Sequence, residues 1–145
     1  KGNITYANQI VMDSCYETDI KFAELNALIS KKGRYNKFDI AKLKENIEID
    51  GYEENIDIEK VSNDFEKIYV SGKYIDLEMN IDSKIAYKLY GKVKYPDFNF
   101  DKEDYDVKLH DEESSTIEFE YYKHTRDTYR EIKINGYEVD VNIND

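Results

Sequence analysis

Between residues 4 and 30 the apolar side chains Ala7, Val11, Cys15, Phe22, Leu25 and Ile29, with Ile10 and Leu28 beside them, recur in steps of three and four. That spacing predicts one long amphipathic helix. No Pro or Gly interrupts it before Gly33, and Lys31 and Lys32 suit a helix C-terminus. A shorter helix is predicted over 38–45, capped by Asn36, with Ile40, Ala41 and Leu43 as its apolar face.

From residue 47 the period drops to two. Ile47 and Ile49 predict a short strand ended by Asp50-Gly51, and Ile58, Val61 and Phe65 a short helix over 58–67. Ile75, Leu77, Met79 and Ile81 alternate with polar residues, as do Ile85, Tyr87, Leu89, Val93 and Tyr95, which together predict a hairpin. A further strand is expected at Ile117, Phe119 and Tyr121. A last hairpin is expected where Asn135-Gly136 divides Ile132 and Ile134 from Tyr137, Val139, Val141 and Ile143, because tight turns favour Asn-Gly. The fold class this predicts is α+β, a long N-terminal helix packed on a twisted antiparallel sheet. The chain reads as one domain over 1–145, helical over 1–46 and mainly antiparallel β over 47–145, with no internal repeat.

Composition sharpens this picture at two points. Tyr occurs 14 times and Trp not at all, which suits half-buried strand positions where a ring packs and its hydroxyl meets water. The net charge is −11, with the acidic excess after residue 46. Such a body repels nucleic acid and anionic head groups, so nucleic-acid binding is not expected. Cys15 is the single cysteine, so no internal disulfide forms, and its place on the predicted apolar face argues for packing rather than reactivity. No apolar run is long enough to span a bilayer. The chain opens on Lys1 rather than Met, so an upstream leader, anchor or domain is expected, and any membrane attachment would run through it.

For chemistry, Asn46, Glu48 and Asp50, then Gly51 and Asp57 at the twelfth place, follow the ligand spacing of a calcium loop. Asn at the first place, Glu at the third and Asp at the twelfth depart from it, and Ile47 and Ile49 favour a strand and turn. Asp97, Asn99, Asp101, Glu103 and Asp104 form a second acidic stretch, in which Lys102 stands where a calcium loop needs Gly. His110 and His124 are isolated, and no thiolate pair, nucleotide loop or nucleophile elbow occurs. Lys31, Lys32, Arg34, Lys37, Lys42 and Lys44 make a basic cluster at the predicted helix junction, suited to salt bridges, solvation or an anionic surface. No catalytic site and no cofactor other than calcium is expected.

The predicted helix over 4–30, followed by strands over 73–82, 84–95, 116–122 and 131–143, resembles in element order the head domain of type IV pilin-like proteins, including Tad-type ones. The resemblance implies a non-catalytic, extracytoplasmic domain of a bacterial cell-surface protein, a structural subunit partnered by other subunits or cell-surface components. Two alternatives rank behind it: a secreted or lipid-anchored domain binding a ligand or protein, and then an acidic cytoplasmic interaction protein.

Overall fold

A computed structural model describes residues Lys1–Asp145. It corrects the predicted fold class: 71% of the chain is strand and, apart from one 3-10 turn at Lys102–Asp104, no helix forms. The residues read as a long helix are β1 (Gly2–Asp13) and β2 (Asp19–Arg34). Those read as shorter helices fall in β3 (Lys37–Ile40), β4 (Leu43–Tyr52), β5 (Asn55–Ile58) and the segment leading to β6 (Lys67–Asn80). The pilin-like resemblance falls with the helix that carried it.

The strands stack in parallel, each coil laid on the one before. Ile20 pairs with Gly2 and Phe38, and Phe38 with Ile56; Ile47 pairs with Leu28 and Ile68. Each coil contributes a short run to one sheet (sheet A), turns a corner, contributes a longer run to a second (sheet B), and turns again. Apolar side chains point inward from both. On sheet A, Phe22, Ile40, Ile58 and Met79 line up; on sheet B, Leu28, Ile47, Ile68, Ile132 and Leu89 do, all buried. Each contributes roughly 1.5–3 kcal/mol by leaving water. Because β2 and β6 run through a corner and serve both sheets, the pairings β2–β3–β5–β6–β4 return to β2 as a ring of five parallel strands.

Corners also explain the false helical period. Inward positions two apart along a strand become three apart wherever the chain turns or bulges, so Ile20, Phe22, Leu25 and Leu28 mimic a helix face while belonging to a coil. Val11, placed on that supposed apolar face, is 67% exposed.

After β6 the order of layers departs from the order of the chain. The next strands are β7 (Tyr87–Lys94) and β8 (Asp97–Asn99), yet the layer stacked on β6 is the C-terminal β11 (Glu131–Asn144). It pairs in parallel with β6 on one side and with β7 and β8 on the other. Neither predicted hairpin therefore forms: residues 75–95 do not fold back on themselves, and 131–144 is one strand that passes through Asn135-Gly136. Antiparallel pairing is confined to one end, where β10 (Thr116–Lys123) lies between β7 and β9 (Asp106–Glu113). There Phe98, Phe100, Tyr105, Phe119 and Tyr121 close the core as a ring cluster.

Candidate functional site

At the corner from sheet B to sheet A every coil needs one residue in the left-handed region. Glu17, Tyr35, Glu53, Tyr74, Glu138 and Tyr95 fill that place, with φ between 50° and 58°. Each belongs to a corner pair, and the pairs follow a rule when read in stacking order: Tyr16-Glu17, Arg34-Tyr35, Tyr52-Glu53, Lys73-Tyr74, Tyr137-Glu138, Lys94-Tyr95. Tyrosine alternates between the first and second place of the pair. Glutamate and a cation alternate in the place it leaves. In chain order the rule breaks, because Lys73-Tyr74 is followed by Lys94-Tyr95; inserting β11 restores it.

The alternation sets the ring geometry. Successive rings attach one residue apart around the corner and so meet edge to face: Tyr16–Tyr35, Tyr35–Tyr52, Tyr52–Tyr74, Tyr74–Tyr137 and Tyr137–Tyr95 have centroids 5.4–6.0 Å apart and planes 83–89° to one another. Such pairs contribute roughly 0.5–1.5 kcal/mol each beyond burial. The ladder nevertheless lies outside the core. Tyr16, Tyr35, Tyr74 and Tyr95 are 40–60% exposed, and Tyr52 and Tyr137 are half-buried.

The Tyr16 hydroxyl faces the Glu17 carboxylate, and the other five have no protein partner; of the tyrosines outside the row the exposed Tyr129 is likewise free, whereas Tyr6, Tyr69, Tyr87, Tyr90, Tyr105, Tyr121 and Tyr122 bond through theirs. Glu17 beside Tyr16 raises that phenol above its ordinary value, and burial raises that of Tyr74. Arg34 lies over the Tyr52 ring at 5.9 Å and Lys94 over Tyr95 at 5.4 Å. The result is a charge-balanced row of rings and free hydroxyls on a molecule of net charge −11.

Beneath the corner, glycines allow the coils to approach. Gly51, Gly72 and Gly136 stand in register, and a Cβ on Gly72 or Gly136 would lie 1.9 or 2.0 Å from the carbonyl oxygen of the glycine in the coil before. The space inside Gly33 and Gly51 holds a polar ladder. Asn36 accepts from the Thr18 N–H through Oδ1 (2.9 Å), and its Nδ2 donates to the Cys15 carbonyl (3.1 Å) and to Glu54 Oε1 (3.0 Å). Burial pushes the Glu54 carboxyl up to about 7 against the lowering effect of Asn36.

The calcium-spaced residues are split between the sheets. Asn46, Glu48 and Asp50 lie on β4 in sheet B, and Asp57 on β5 in sheet A. Asn46 Oδ1 accepts from the Lys67 N–H (3.2 Å) and Asp50 from the Ser71 hydroxyl (3.4 Å). Glu48 and Asp50 line a shallow cavity of about 320 Å³ with Lys31, Tyr69 and Lys133. Elsewhere Asp101 caps the 3-10 turn, His110 bridges Tyr121 and Glu112, and His124 meets the Ser83 carbonyl. The basic cluster is dispersed: Lys44 pairs with Glu24 (3.1 Å), Lys37 with Asp39 (3.8 Å), and Arg34 joins the tyrosine corner. Outward on sheet A, Asp39, Asp57 and Glu78 stack in one column and Asp76, Asp140 and Asp97 in another; burial first, then Asp97 and Asp76, raise the Asp140 carboxyl.

No family model, curated protein or solved structure matches this chain. The tyrosine corner did leave a mark in the sequence. Gly33-Arg-Tyr, Gly51-Tyr-Glu, Gly72-Lys-Tyr and Gly136-Tyr-Glu are variants of one motif, and residues 47–58 and 132–143 are identical at six of twelve positions.

Proposed function

We propose that this protein is a non-catalytic binding module whose tyrosine corner docks a linear, neutral polysaccharide. The observation that carries the reading is the row of six rings at the surface, four of them exposed, repeated once per coil. A ligand built of repeating units matches a surface built of repeating units. Sugar rings pack their C–H faces on aromatic rings, and their hydroxyls both donate and accept, which suits alternating Glu and Lys/Arg side chains. Charge balance along the corner favours a neutral polymer over a charged one.

Titration with linear hexasaccharides of glucose, N-acetylglucosamine and xylose, followed by tyrosine fluorescence and calorimetry, tests this. At least one series should bind with affinity rising with length. The double variant Tyr35→Ala/Tyr74→Ala should lose tenfold or more while keeping a cooperative melt. Absence of binding by every series, or an unaffected double variant, removes the reading.

A further inference from the structure

The corner pairs repeat every two coils rather than every coil. In one kind of coil the tyrosine holds the second place and the left-handed φ. Tyr35, Tyr74 and Tyr95 stand 40–47% exposed there, each preceded by an exposed cation, Arg34, Lys73 or Lys94. In the other kind a glutamate holds that place. Glu53 and Glu138 are exposed, and the tyrosines before them, Tyr52 and Tyr137, lie back half-buried. Tyr16-Glu17 has the same order, with its ring more exposed. In the stack the two kinds alternate, so that Tyr35, Glu53, Tyr74, Glu138 and Tyr95 follow one another. Coils stack about 4.8 Å apart, so each kind recurs at about 9.6 Å.

A sugar chain whose units all faced the same way would meet unlike coils in turn. A ribbon in which each unit is turned half a revolution from the last presents like faces to like coils. Extended β-1,4-linked hexoses have that symmetry, and each unit advances by nearly one coil spacing, whereas α-1,4- and β-1,3-linked chains curl away from a straight row. We propose that the tyrosine corner selects β-1,4-linked ribbons, a selectivity that rests on its docking polysaccharide at all. Alternate sugars pack their C–H faces on Tyr35, Tyr74 and Tyr95, while Arg34, Lys73 and Lys94 donate to their oxygens. The turned sugars between them donate hydroxyls to Glu53 and Glu138. A polyproline helix repeats at a similar interval, about 9.3 Å per turn, but has no N–H to donate and would leave both glutamates without partners.

The test is calorimetry on the whole chain with hexasaccharides of one sugar in three linkages, glucose joined β-1,4, β-1,3 and α-1,4. The β-1,4 hexamer of N-acetylglucosamine and a proline decamer are titrated beside them. At least one β-1,4 hexamer should bind roughly tenfold or more tighter than the β-1,3 and α-1,4 hexamers. The exchange Lys73→Tyr/Tyr74→Lys keeps charge and ring count but sets the rings of three successive coils in the first place. It should reduce that preference to under about threefold while the chain keeps a cooperative melt. Equal or tighter binding of β-1,3 or α-1,4 glucose would overturn the selectivity. So would an unchanged preference in the exchanged variant, or no binding by either β-1,4 hexamer. Tighter binding of the proline decamer would overturn it by assigning the row to a peptide. The docking of polysaccharide itself fails only if no sugar of any linkage binds.

Discussion

Glu54 is 1% exposed, accepts one hydrogen bond from Asn36 through Oε1 and leaves Oε2 without a partner. A carboxylate there has too few donors, so the neutral acid is the form the fold prefers. With the folded value raised to about 7 and the unfolded one near the ordinary range, the sign of the linkage follows. The contribution of Glu54 to stability is fully present below about pH 4.5 and is lost as pH rises through 7, by on the order of 3 kcal/mol. Glu54→Gln, which still accepts from Asn36 but cannot ionise, should be more stable than the parent at pH 8 and close to it at pH 4.5. Urea unfolding at both pH values checks this. A parent-to-variant gap that stays constant with pH would show that Glu54 is ionised in the folded chain.

At the scale of elements, the corner is where the fold is specified. Gly136 adopts φ +146° and its α-carbon faces the Gly72 carbonyl, so a methyl group there meets both a strained backbone and a closed space. Gly136→Ala should cost more than about 2 kcal/mol, read as a drop in the urea midpoint. Gly2→Ala, with open space around it, should change nothing measurable. The same corners decided what the sequence disclosed. Alternation over residues 75–80, 117–121 and 132–143 is legible, and those segments are strands. Direction is not, because period two marks a strand without saying whether its neighbour runs with it or against it. The helical period at the N-terminus is a product of corners, because residues 20–30 carry a step of three at each corner or bulge. A corner between Asp50 and Asp57 likewise sends the last residue of the calcium spacing around Asn46 to the other sheet, which spacing along the sequence does not disclose. The corner motif itself was on view in four glycine-tyrosine segments, hidden by unequal intervals and by a tyrosine that moves one place from coil to coil.

At the scale of the whole molecule, β11 is a middle layer made from residues that follow every other strand in sequence. Deleting 131–145 uncovers β6 on one side and β7 and β8 on the other, and removes the buried Ile132, Ile134, Val139 and Val141 together. The truncated chain should lose its cooperative melt and bind a hydrophobic dye, rather than melt at a modestly lower temperature. Supplying 131–145 as a separate peptide should restore a single transition. The order of synthesis then acquires a meaning. Coils β1 to β6 can stack as they leave the ribosome, but the residues after them must wait with an unfilled gap until residues 131–144 arrive. A chain broken off before residue 131, by early release or by a protease, thus lacks a central layer of its stack, and cellular quality control can tell it from an intact one by that gap.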